Sequence, residues 1–140
     1  MADGYAGDIT PQEAWDILET DPDAVLVDVR TDAEWSYVGV TDLSSIGKEP
    51  HFVAWKIFPS MDVNPAFVSG VVAISTNKDA PVLSICRSGI RSISSSKALT
   101  EAGFTNAYNI TEGFEGDKDK TEHRGTVGGW KVRCLPWRQG

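Results

Sequence analysis

The sequence predicts an α/β domain with a mainly parallel central sheet and helices on both faces. Three observations predict it. Short continuous apolar runs alternate with amphipathic stretches, helix caps stand where those stretches begin, and no internal repeat interrupts the alternation over 140 residues. The continuous run at 24–27 suits a strand buried on both faces, and 81–85 reads as a further strand.

Thr10 caps the first helix, Pro11 suits its first position, and Glu13 can reach back to the cap. Ala14, Trp15, Ile17 and Leu18 form its apolar stripe, and Asp21-Pro22 ends it. The strand at 24–27 delivers Asp28-Val29-Arg30 to its C-terminal end. Thr31 and Glu34 repeat the capping-box pattern and open a second helix that runs to 38. Residues 39–51 read as loop and 52–58 as a strand closed by Pro59. Asn64-Pro65 starts a helix to about 75, and 77–79 is a turn. The strand at 81–85 leads into Cys86. A helix follows over 90–102 with Gly103 at its C-terminal cap, then a short strand over 105–110. Residues 111–127 read as a long exposed connection, and 128–134 as a last short helix ended by Leu135-Pro136-Trp137. The whole span 1–140 is expected to form a single domain.

Composition narrows the function. Hydrophobic residues make up 41% of the chain, enough for a core. No stretch approaches the ~20 apolar residues that cross a bilayer, and the first residues lack a secretory pattern. The two cysteines, Cys86 and Cys134, are too few for a disulfide scaffold, so a cytoplasmic location is expected. The net charge of −7 is unevenly spread: residues 1–117 carry 18 acids against 7 Lys/Arg, and 118–140 carry 2 against 6. Between Ala80 and Thr100 stand Arg87, Arg91 and Lys97 with no carboxylate. Clearing acids from around one cysteine favours a small anion there. It argues against nucleic acid, which wants a broad basic face, and nothing points to a membrane.

Residues 82–92 are the most informative stretch. A strand that delivers Cys86 into a helix start places sulfur where unpaired backbone N–H groups gather, an arrangement that holds anions and favours the reactive thiolate. If 87–90 curl tightly, their amides converge on the sulfur, and Gly89 permits the positive φ this needs. Ser88 and Ser92 can add hydroxyl donors, Ile90 a backbone amide, and Arg87 and Arg91 charge. Arg91 either meets substrate or braces the loop against a carboxylate such as Asp28. In parallel sheets, ligands bind beyond the carboxyl ends of strands, where Asp28 and Cys86 both fall. Asp28 and Arg30 are therefore expected to support the loop, with Arg30 and Glu34 spaced for a local pair. Trp35, Trp55 and Trp130 read as core.

This chain resembles the rhodanese family of sulfurtransferases. The resemblance rests on the Thr10-Pro11 helix start, Asp28-Val29-Arg30, Glu34-Trp35, and the loop Cys86-Arg87-Ser88-Gly89-Ile90-Arg91-Ser92. It continues through Gly103-Phe104, Tyr108-Asn109-Ile110, Glu112-Gly113-Phe114, Trp130 and Leu135-Pro136-Trp137, a family-like core of about 9–138. It implies a three-layer rhodanese-like fold and catalysis by Cys86, which would take sulfur from an anionic donor such as thiosulfate, become a persulfide, and pass the sulfur to cyanide or a thiol, including a protein thiol. The implied chemistry needs no cofactor or metal, and Cys86, Cys134, His51 and His123 lack paired metal-ligand spacing. Two departures stand out. Relatives often read Gly-His-Ile-Pro-Gly-Ala where this chain has Gly39-Val40-Thr41-Asp42 and an insertion-like stretch to Pro50. They often place glycine where Cys134 stands, here read as a small packed residue.

Two other classes compete. Cysteine phosphatases and arsenate reductases also join a cysteine, an amide cradle and an arginine, but their loop is usually one residue longer than the four between Cys86 and Arg91. A module that carries persulfide or binds a partner without turnover would share the same loop.

Overall fold

The computed structural model describes residues 4–57 and 60–139. In chain order the elements begin with β1 (Gly7–Ile9), α1 (Pro11–Thr20), β2 (Val25–Asp28), α2 (Asp32–Tyr37), β3 (Val40–Thr41), a 3₁₀ turn (Ser44–Ile46) and β4 (His51–Phe52). They continue with β5 (Lys56–Ile57), β6 (Asp62–Val63), α3 (Phe67–Ile74), β7 (Val82–Ile85), α4 (Arg91–Glu101), β8 (Ala107–Ile110) and β9 (Trp137–Arg138). Five strands form one parallel sheet in the order β1–β8–β7–β2–β4. β3 pairs antiparallel with β9, and β5 with β6.

The strand alternation sorts two cores. Leu26, Leu83, Ile85 and Ile110 point to one face, where Ala14 and Leu18 of α1 meet them with Phe114 and Trp130. Val27, Val82 and Ala107 point to the other, against Phe67 and Val71 of α3 and Leu99 of α4. Each fully buried side chain of this size contributes about 1.5–3 kcal/mol, so the central strands are fixed in register from both sides. Both expected capping boxes form: Thr10 with Glu13, and Thr31 with Glu34. Trp130 is fully buried, while Trp35 and Trp55 are half-buried against Phe52 and Phe67.

Four expectations are corrected. The strand expected over 52–58 is interrupted. After β4 the chain hangs on the end of β2, with the Val53 and Trp55 N–H groups donating to the carbonyls of Asp28 and Val29; it pairs again only at β5, and Phe58 and Pro59 lie outside the described residues. The third helix begins at Phe67, because the Asn64 side chain and carbonyl accept from the Ala66 and Phe67 amides and hold a turn there. Residues 128–134 form turns, with φ of 104° at Gly129 and 60° at Cys134 breaking the helical path. The front of 111–127 is packed: Gly113, Phe114 and Gly116 are buried. A Cβ on Gly116 would lie 2.3 Å from the Gly128 carbonyl oxygen, so the glycines there serve close backbone approach.

Candidate functional site

β7 ends at Ile85 and α4 begins at Arg91, so residues 86–90 form a tight loop at the carboxyl edge of the sheet. Gly89, at φ 95°, turns its N–H onto Cys86 Sγ at 3.1 Å. Ser92, in the first turn of α4, places Oγ 3.2 Å from the same sulfur. The segment after β8 grips the loop from behind. Phe114 N–H donates to the Cys86 carbonyl at 2.7 Å, and the Glu115 and Gly116 amides donate to the Arg87 carbonyl. The loop shape is thus held by backbone hydrogen bonds from a neighbouring turn.

Cys86 is 1% exposed, yet it forms part of the floor of an open pocket of about 440 Å³. Arg87, Ser88, Ile90 and Arg91 line that pocket with Glu34, Met61 and Arg124. Arg87 and Ile90 are exposed at the rim. Cys86 is therefore recessed beneath a pocket whose lining carries Arg87, Arg91 and Arg124. Arg124 comes from the connection the sequence left exposed, and its guanidinium donates to the Gly116 carbonyl at 2.8 Å.

Arg91 is committed to the protein. Its guanidinium makes two parallel hydrogen bonds to Glu34, at 2.7 and 2.9 Å, across 57 residues of sequence. Arg91 thus braces the loop, but against Glu34 rather than Asp28. Burial alone would push the Glu34 carboxyl up; the Arg91 hydrogen bonds and charge outweigh it and hold the group below its usual 4.5. Burial would likewise lower Arg91, and Glu34 more than restores it.

A carboxyl depressed in the folded state stabilises the fold above its ordinary value and loses that contribution as pH falls through the folded value. With both side chains 18% exposed, the pair is worth about 1–2 kcal/mol. Glu34→Gln is expected to lower the melting temperature at pH 7 and to leave it less sensitive to acid between pH 5 and 3 (a window set by the usual carboxylate value). Thermal melts across that range check this, and an unchanged acid slope contradicts it.

Asp28 and Arg30 pair with each other. The Arg30 guanidinium donates to both Asp28 oxygens at 2.7–3.2 Å and to the Gly39 carbonyl at 2.7 Å, and it stacks over Phe114 at 4.4 Å. Both side chains are fully buried. Asp28 makes no hydrogen bond to residues 86–92 among the described residues, so it supports the platform beneath the loop rather than the loop itself, and the local Arg30–Glu34 pair does not form. Cys134 is exposed at positive φ, which corrects the packed-residue expectation and explains why glycine suits the position. Glu34, Arg124 and Met61 line the pocket and were not selected as site residues by sequence reasoning. Only Glu34 carried a local signal, its capping box.

These features define an α/β domain with a recessed cysteine at the carboxyl edge of a parallel sheet. The rhodanese-like domain family matches residues 10–120, and the chain belongs to that family. A crystal structure of Rv0390 from M. tuberculosis is similar with a TM-score of 0.88 at 49% identity, covering 97% of this chain and 99% of that one. An uncharacterised protein of Rickettsia conorii is 37% identical, over 93% of this chain and 95% of its own. The thiosulfate sulfurtransferase GlpE of Actinobacillus succinogenes is 30% identical over 78% of this chain and 81% of its own. No helix among the described residues is long and apolar enough to cross a membrane.

Proposed function

We propose that this domain is a sulfurtransferase that moves sulfane sulfur from a small anionic donor such as thiosulfate to a thiol or to cyanide through a Cys86 persulfide. The observation that carries the reading is Cys86 in the lining of a pocket that Arg87, Arg91 and Arg124 share, with the Gly89 N–H 3.1 Å from its Sγ. Family membership and similarity to a thiosulfate sulfurtransferase support it.

The Cys86 thiolate attacks the outer sulfur of thiosulfate. The new S–S bond forms as the bond to the sulfonate sulfur breaks, and sulfite leaves with the bonding pair. The outer sulfur then carries the negative charge, facing the pocket where Arg87 and Arg124 stand. A thiolate or cyanide next attacks that outer sulfur, and the electron pair of the S–S bond returns to Cys86. This is covalent catalysis in two half-reactions. Arg87 and Arg124 draw in the anion, while Gly89, Ser88 and Ile90 shape the cradle. The chemistry requires a reduced Cys86, which fits a reducing compartment such as the cytoplasm. Because Arg91 is clamped by Glu34, it is not free to clasp a tetrahedral oxyanion, which weighs against phosphate-ester hydrolysis.

Steady-state kinetics test this. With thiosulfate and cyanide varied together, thiocyanate formation is expected to give parallel double-reciprocal lines, and p-nitrophenyl phosphate no turnover. Intersecting lines would reject the two-step shuttle. A persulfide that loads once and then stalls with cyanide and small thiols would favour a carrier.

A further inference from the structure

We propose that Asn109 and Asp8 are positioning residues that fix which way the Ser92 hydroxyl points, so that its proton goes to Asn109 and not to Cys86. The chain of contacts starts at the surface. Asp8, exposed on β1, stands in register with Asn109 on β8. Asn109 Nδ2 donates to Asp8 Oδ1 at 2.9 Å, and the Tyr5 hydroxyl donates to the same oxygen at 2.7 Å. Asn109 Oδ1 accepts from Ser92 Oγ, and Ser92 Oγ meets Cys86 Sγ. Asn109 and Ser92 are buried, at 2% and 0% exposure.

Donor and acceptor counting sets the direction. A carboxylate only accepts, so Asp8 must receive the amide N–H, and the carbonyl end of Asn109 must face Ser92. A carbonyl has no proton, so Ser92 spends its single proton on Asn109. Toward Cys86, Ser92 can then offer only a lone pair, which suits a thiol S–H and opposes a bare thiolate. Tyr5 strengthens the anchor: burial, with Asp8 beside it, pushes its hydroxyl up to about 12, so it stays a donor. In the persulfide the inner sulfur has neither proton nor charge, and the outer sulfur carries the charge out into the pocket. The same network accommodates that form without rearrangement. Ser92 thus lends no proton to a bare Cys86 sulfur, which keeps the Gly89 N–H at 3.1 Å as its donor; what is said of the persulfide rests on the function proposed above.

Other charges near Cys86 are Arg87 on the loop, Arg91 with its partner Glu34, Arg124 across the pocket, and the Asp28–Arg30 pair at the end of β2. All remain in place when Asn109 or Asp8 is changed, so their field is common to wild type and variants.

The experiment is the pH profile of Cys86 alkylation by iodoacetamide in a Cys134→Ser background, which removes the exposed second thiol. N109L takes away the acceptor and adds no charge, freeing the Ser92 proton for the thiolate. D8A releases the Asn109 amide to flip, with the same consequence, and changes an exposed side chain. Both are expected to lower the pH midpoint by about one unit, the scale of one hydrogen bond gained by a charged group. Combined with S92A, neither is expected to shift the midpoint beyond S92A alone. A midpoint that stays or rises in D8A or in folded N109L overturns the proposal, as does a D8A shift that persists with S92A, which would be the bare field of a lost carboxylate. Thiosulfate loading, read by mass on the same samples, separates the two claims. Normal loading with an unmoved midpoint overturns positioning alone. A moved midpoint without loading supports positioning and overturns only the sulfur chemistry.

Discussion

Cys86→Ser is expected to reduce thiocyanate formation from thiosulfate and cyanide to background, a loss of roughly 10³-fold or more. The reason is chemical rather than structural. A serine hydroxyl fits the same loop and can accept the Gly89 N–H, but it cannot hold a sulfane sulfur as a persulfide. Stability is expected to change by less than about 1 kcal/mol, because the substitution keeps the shape and leaves the backbone bonds from Phe114, Glu115 and Gly116 in place. Activity assays paired with thermal melts read both quantities. Residual turnover above a tenth of wild type (far over the remainder that a lost nucleophile leaves) would move the nucleophile elsewhere.

The second large effect is on folding. Asp28→Ala is expected to destabilise the domain by about 3–5 kcal/mol, because it leaves the Arg30 guanidinium buried without its counter-charge. That is a large share of the roughly 5–15 kcal/mol that hold a domain of this kind together. Asp28 also accepts the Arg30 backbone N–H at 3.1 Å, so the turn that launches α2 loses its anchor too. Since Glu34 sits on α2 and clamps Arg91, the damage is expected to reach the cysteine loop: activity per folded molecule should fall in the Asp28→Ala protein, beyond the loss from unfolding. Urea titration gives the stability, and activity normalised to the folded fraction gives the coupling. A loss under about 1 kcal/mol, the range of ordinary surface changes, would mean that the ion pair is as dispensable as one at the surface.

The sequence showed its local rules well. Thr10–Glu13 and Thr31–Glu34 announce helix starts because a cap is satisfied within four residues, and both boxes are present. The runs at β2 and β7 are readable because burial on both faces demands a largely apolar strand, with Ser84 the one polar residue inside β7. The two-residue strands β3, β4, β5, β6 and β9 are too short to show any period. What escaped reading is set by long-range geometry. Nothing near Arg91 names Glu34, which lies 57 positions away. Nothing in the glycine-rich stretch after Ile110 says that Gly113 and Gly116 are close-contact positions rather than flexible ones. A Cβ on Gly113 would come within 2.5 Å of the Cys86 carbonyl oxygen, so its missing side chain is what lets this turn support the loop. The site loop was legible for the opposite reason: strand, cysteine, glycine and helix start are consecutive, and their chemistry is local.

The most direct test is intact mass of the protein after incubation with thiosulfate and removal of excess donor. One added sulfur, about 32 mass units, is expected (the increment of a single covalent transfer), with the gain absent from Cys86→Ser, retained in Cys134→Ser, and discharged by cyanide as thiocyanate. A mass that does not change, or an adduct that survives replacement of Cys86, would contradict the account.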